Sequence, residues 1–320
     1  MRIARRALLA APVLPGPTFA QTSFPERPIR LIVPWAPGAS ADAVLRHLAE
    51  LAGRRLGQPV VPENRAGATG TLGAIALKEA RPDGYTMSQM HPAVFRVAMM
   101  QQRPAYDSER DFTWIIQLAG SLHGIVVRAD ATWRSLSDLL AHARNHPGQL
   151  NYGTFGVGSV QHMTMERIAA SRGLSWTHVP YRGGGGELYG ALLSRQIDVV
   201  ADASGWEGLV RDGQFRLLAT WGTTRAPSFL DAPTLGESGI ALAVDSPYGL
   251  AGPRGMDATV VRILHDAFQA ALTDPSTAAV LARFSKPNLY LDSAAYAASI
   301  LGQIEAEREG LRQVGMLARP

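Results

Sequence analysis

The sequence predicts an α/β protein built as two lobes around mostly parallel sheets. Three observations carry that expectation. Short β-branched runs alternate with amphipathic helical stretches, the pattern of strands joined by crossover helices. The alternation comes in two separate series, one ending near Gln89 and one beginning near His123. After Ser246 the pattern becomes helical, so the tail is expected to return and pack on the first lobe.

In the first series, Ile29 to Pro34 (IRLIVP) reads as a strand. Ala41 to Leu56 follows as a helix, with Val44, Leu45, Leu48, Leu51 and Ala52 on one face and Ser40 as its N-cap. Pro59 to Pro62 gives a second strand and Thr71 to Ala80 a helix. Pro82-Asp83-Gly84 makes a turn, and Tyr85 to Gln89 a third strand. The second series opens with a strand at Ile125 to Arg128 and a helix at Ser135 to Arg144, which Pro147-Gly148 ends. Further strands follow at Leu150 to Thr154, Thr177 to Pro180, Asp198 to Ala201 and Leu217 to Thr220. The tail gives helices from Asp257 to Leu272, after Pro275, and from Ser293 to Val314. Crossing segments near Leu118 to Ile125 and Asp245 to Gly249 would join the lobes. The expected division is 21–122 with 247–320 for one lobe and 123–246 for the other.

Residues 1–20, MRIARRALLAAPVLPGPTFA, have the layout of an export signal: basic Arg2, Arg5 and Arg6, a short apolar run, helix-breaking Pro15 to Pro17, and small residues Thr18 and Ala20. Cleavage before Gln21 is expected, with the Arg5-Arg6 pair leaving twin-arginine export open. The 31 basic residues less these three leave 28 against 27 acidic, so no nucleic-acid footprint remains. The mature chain has no run of about 18 apolar residues to span a membrane. Its cysteine count of zero excludes disulfides and thiolate metal sites. A periplasmic, monomeric protein that binds or hydrolyses a solute is the expectation.

In open α/β sheets ligands sit beyond the carboxyl ends of strands. The loops there are PWAPGASAD (Pro34 to Asp42), MHP (Met90 to Pro92, with His91), TFGVGS (Thr154 to Ser159), YRGGGG (Tyr181 to Gly186) and ADASGW (Ala201 to Trp206). Several lead straight into a helix and so present free N–H groups at a positive dipole end. TFGVGS lacks the third glycine of a dinucleotide loop, and no phosphate-loop lysine occurs. A tight turn and a small-anion site remain as readings. A serine hydrolase would use Ser159 with His162, but no glycine closes the nucleophile turn and both residues lie on one helix, so Ser159 is expected to cap. His142 and His146 lack the glutamate of a zinc helix and read as helix-end residues. Asp198 reads as a strand-end residue and Asp202 as facing the pocket. Gly183 to Gly186 is either a linker or a close approach to ligand.

The motifs RPIRLIVPWAPGASAD (27–42), ENRAGATG (63–70), PDGYT (82–86), DFTWI (111–115), PGQLNYGTFGVGSVQH (147–162), THVPYRGG (177–184), QIDVVAD (196–202) and APT (232–234) stand in a fixed order. Through them the chain resembles the Bug family, the TctC-like periplasmic receptors of tripartite tricarboxylate transporters, over essentially its whole mature length. The resemblance implies a type II periplasmic-binding-protein fold, two α/β lobes with two crossover strands and a cleft that closes on a small solute. It implies a carboxylate ligand, such as an organic acid or acidic amino acid, no cofactor, and membrane transporter subunits or a sensor kinase as partners. It also implies that Pro34 to Ser40 (Trp35, Ala36, Pro37, Gly38, Ser40) and Thr154 to Ser159 (Thr154, Phe155, Gly156, Ser159) face each other across the cleft, with Asp42 as a structural cap.

The combined expectation adds Ser40, Thr154 and Ser159 as hydroxyl contacts, Trp35 and Tyr181 as aromatic walls, His91 and His162 at the site, and Asp202 selecting a donor group on the ligand. Where the family usually has adjacent glycines this chain has Gly38-Ala39, Ala66 replaces a common proline, and Val157 a frequent polar residue. Phe155 and Val157 favour a smaller or aromatic acid over citrate.

Overall fold

The computed structural model describes residues 24–182 and 184–318. The expected export signal at 1–20 and Gly183 of the glycine run lie outside the described residues. The chain forms β1 (Ile29–Val33), α1 (Ser40–Leu56), β2 (Val60–Asn64), a one-turn 3-10 helix (Ala68–Gly70), α2 (Thr71–Lys78), β3 (Thr86–Met90), α3 (Pro92–Met99) and β4 (Phe112–Ala119). It then crosses to β5 (His123–Arg128), α4 (Leu136–Asn145), β6 (Asn151–Thr154), α5 (Val160–Arg172), β7 (Thr177–Pro180), α6 (Gly185–Leu193), β8 (Val199–Ala203), α7 (Glu207–Arg211) and β9 (Phe215–Thr220). It crosses back into β10 (Tyr248–Pro253), α8 (Ala258–Thr273), α9 (Pro275–Arg283), β11 (Asn288–Leu291) and α10 (Ser293–Gln313).

These strands make two sheets, ordered β11-β4-β10-β3-β1-β2 and β7-β6-β8-β5-β9. Each is covered on both faces. In the first, α1, α8 and α9 bury Val44, Leu48, Leu264, Phe268 and Leu281 on one side, and α2, α3 and α10 bury Leu77, Phe95, Ile300 and Ile304 on the other. In the second, α4 and α5 supply Leu139 and Ile168 to one face and α6 supplies Leu188 and Leu192 to the opposite one. Burial on both faces is why the strands read as continuous apolar runs rather than alternating ones.

The structure corrects four sequence expectations. The sheets are not mostly parallel: β1 pairs in parallel with β2 and β3, and β6 with β7 and β8, but β10, β11 and β5 pair antiparallel. Each crossing between sheets feeds a strand in from the opposite end. Phe112–Ala119 is the longest strand, hidden because almost every position is buried. The tail is not purely helical, since Asn288–Leu291 adds an edge strand against β4. Ser40 is not the N-cap of α1. Ala39 holds that position with extended φ/ψ and no side-chain cap, and Ser40 is the first helical residue.

The crossing segments run side by side, with the Ser121 N–H donating to Asp245 O at 2.9 Å. The connector before β11 packs on them: Gly120 N–H donates to Pro287 O, and Lys286 Nζ to Ser121 Oγ, both at 2.9 Å.

Candidate ligand-binding site

The loop after β1 is shaped by one buried carboxylate. Asp42, 2% exposed, accepts from Gly38 N–H at 2.9 Å, from Arg46 Nε at 3.0 Å and from Asn64 Nδ2 at 2.7 Å. Asn64 also donates to Trp35 O, so the peptides on either side of Ala36 and Pro37 are tied to the same group. Burial pushes the Asp42 carboxyl up, but these donors outweigh it and hold the group below the usual carboxylate range. Asp42 is therefore structural, as the resemblance implied, but it holds the Gly38 N–H of the loop rather than capping α1, whose N-cap has no side-chain bond. With Asp42 consuming the Gly38 N–H, and Ala43 N–H closing on Ala39 O, the N–H groups of Ser40, Ala41 and Asp42 meet no acceptor among the described residues. Trp35 Nε1 donates to Gln89 Oε1 at 2.7 Å, which sets the indole 4.7 Å from the His91 ring.

The loop after β6 is held mainly by its own side chains. Ser159 is the N-cap of α5 as expected, its Oγ accepting from His162 N–H at 3.1 Å. His162 Nδ1 accepts from Gly158 N–H at 3.2 Å, so the imidazole faces the loop backbone rather than the serine hydroxyl. Thr154 Oγ1 is fully buried and lies 2.7 Å from His178 Nε2 and 3.2 Å from Gly156 N. The Thr154 and Ser159 hydroxyls are thus engaged inside the loop instead of standing out as free donors. Ser40, by contrast, has no side-chain partner among the described residues. What the loop leaves open is backbone: the Val160 and Gln161 N–H groups at the start of α5.

No protonated imidazole adds charge here. Burial holds His91 down to about 4 and His178 to about 3, and also lowers His162. His91 Nε2 lies 3.3 Å from Thr69 O and its buried Nδ1 has no partner among the described residues. The close fit of His91 also explains Gly70: at φ +87° a Cβ there would sit 2.5 Å from the imidazole Cε1. Asp202 is 2% exposed and already accepts from Gln161 Nε2, Ala203 N–H and Tyr189 Oη, leaving little capacity for a ligand donor. Burial raises its carboxyl to about 7. Tyr181 is half-buried and Phe155 packs against the α6 side of the second core, so the apolar character of Phe155 is partly spent inside the lobe.

The contacts that reach the second loop from the first sheet's side come from residues the sequence did not single out. Thr69 Oγ1 donates to Val157 O at 3.1 Å and Arg96 Nη1 to Gly158 O at 2.8 Å. Lys286, 5% exposed, sits beside the crossing segments within electrostatic reach of Asp202 and Glu207 and is held down to about 8 by burial. The one legible signal was a lone arginine in the apolar helix PAVFRVAM and a lone lysine before Pro287. At the end of α4, His146 Nδ1 lies 3.1 Å from His142 O and the rings stack, a helix-end contact.

Sequence comparison decides the family, because the model described as tripartite tricarboxylate transporter family receptor, TctC, matches residues 44–316. The chain belongs to the TctC receptor family. A Cupriavidus necator protein, described as UPF0065 protein in gbd 5'region, is 38% identical over 98% of this chain and 97% of its own length. The solved periplasmic binding protein BugD superposes with a TM-score of 0.85 at 27% identity, covering 92% of this chain and 100% of BugD. MatC from Rhodopseudomonas palustris, solved with bound malate, gives 0.82 at 27%, covering 90% and 100%. This TctC-family chain therefore has the two-lobed periplasmic-binding-protein fold that its motifs implied. Its family and structural neighbours are receptors and binding proteins.

Proposed function

We propose that this TctC-family protein is a periplasmic, non-enzymatic receptor that captures a small carboxylate and delivers it to a membrane transporter. Residues 21–122 with 247–320 form one jaw and 123–246 the other, with residues 1–20 removed on export. The observation that carries the reading is the pair of helix starts, α1 and α5, whose first N–H groups are left without acceptors among the described residues. Free N–H groups at a helix start bind an anion through aligned dipoles without needing a cation. Neutral imidazoles nearby fit a site that works through backbone. Trp35 and Tyr181 would flank the ligand, and the Ser40 hydroxyl would add a contact. The malate bound to MatC supports a small organic acid as the ligand class. Against hydrolysis stands the use of Ser159 Oγ as a cap, with His162 Nδ1 turned to the Gly158 N–H.

Thermal unfolding of protein freed of copurified ligand, measured against malate, citrate, glutamate and benzoate, tests this. A bound carboxylate at a hundredfold excess over its Kd adds about 2.7 kcal/mol and raises Tm. A flat response to every acid at millimolar concentration would overturn the carboxylate assignment.

A further inference from the structure

The α3 helix PAVFRVAM carries an arginine whose side chain is 2% exposed. A guanidinium is this deeply buried only when partners repay its desolvation. Arg96 has two, on different parts of the molecule. Its Nε donates to Glu307 Oε2 of α10 at 2.6 Å, and its Nη1 crosses to the second sheet's loop, donating to Gly158 O at 2.8 Å.

The far end of that second bond is the peptide that leads into α5. Gly158 N–H is held by His162 Nδ1 and its carbonyl by Arg96, so this residue is fixed from both sides. Thr69 holds the preceding carbonyl, that of Val157. Val97 of α3 and Met100 just after it close against the same residue: at φ +77°, a Cβ on Gly158 would lie 2.9 Å from Met100 Sδ. These contacts seat the loop on the first lobe.

We infer that Arg96 is a positioning residue that draws the second lobe's glycine loop onto the first lobe in the absence of ligand, presetting the α5 N–H groups. Its consequence for affinity rests on the carboxylate reading, but its effect on lobe geometry does not. Glu307 is the anchor that keeps the guanidinium from turning away. A charge-assisted hydrogen bond shifts an open-to-closed equilibrium by about tenfold.

The natural chain contains no cysteine, so a spin-label pair can be introduced at exposed Leu301 on α10 and exposed Leu193 on α6. Distance distributions are measured by pulsed electron resonance on the ligand-free full chain. The short-distance population should dominate in the parent and fall about tenfold relative to the long one in Arg96→Met/Glu307→Gln, which removes both buried charges together. Arg96→Lys, which keeps the pairing with Glu307 but lacks the second nitrogen reaching Gly158, should shift it in the same direction. If the double variant does not fold, the lysine variant decides. Unchanged distributions in a folded variant would overturn the inference. A malate titration runs in parallel: failure of the parent to bind malate counts against that acid as ligand, while the distance result stands by itself.

Discussion

Asn64 Nδ2 lies 2.7 Å from Asp42 Oδ1, and that bond ties the end of β2 to the start of α1 across the base of the first loop. Removing the carboxylate orphans the Gly38 N–H and takes one acceptor each from the Asn64 amide, which keeps Trp35 O, and from Arg46, which keeps Asn64 Oδ1. Asp42→Ala should cost about 2–4 kcal/mol in denaturant unfolding. It should also weaken carboxylate binding at least tenfold as the loop loses its shape. Asp42→Asn keeps part of the network and should fall between, and a full loss in both would point to charge rather than geometry.

Ser40 and Val160 are the first helical residues of α1 and α5, where proline is tolerated because its missing N–H has no helical partner. The preceding residues are already extended, Ala39 at φ −60°, ψ 150° and Ser159 at φ −63°, ψ 160°, as a following proline requires. Ser40→Pro and Val160→Pro should each therefore fold and lose tenfold or more in carboxylate affinity by calorimetry. Full affinity in both would remove the backbone N–H groups from the binding account.

Ser159→Ala deletes the α5 cap. It should lower stability by about 1 kcal/mol and weaken binding modestly. Turnover of a chromogenic ester by the parent, abolished by this substitution, would instead establish a nucleophile.

Acid should destabilise the protein below about pH 6.5. Burial depresses His91 to about 4 and His123 and His178 to about 3, so the unfolded chain takes up these protons first. Stability is lost as pH falls through that window, at about 1.4 kcal/mol per pKa unit for a buried group. Asp202 works in the opposite sense. With its folded value raised from 3.8 to about 7, its contribution is full below 3.8 and is lost as pH rises through 7. Asp202→Asn should accordingly steepen the decline between pH 7 and 4, read from Tm against pH. A parallel curve would show that Asp202 titrates normally.

Motif order, the two strand–helix series and the glycine loop before α5 were legible because they are local. A helix start needs only a capping serine and a turn that glycine permits, and both are written in TFGVGS. Asp42 was legible through the family resemblance, which gave it a structural role. Strand Phe112–Ala119 and edge strand Asn288–Leu291 were not, since one is buried at nearly every position and the other is too short to show a period.

The sequence by itself therefore determined the family, the lobed α/β plan and which loops offer bare backbone. Tertiary structure alone decided that Asp202 is occupied by Gln161 and Tyr189, that Thr154 spends its hydroxyl on His178, and that Arg96 reaches Gly158. Those partners are 13 to 62 residues apart in the chain, and their chemistry depends on burial, which no spacing rule encodes.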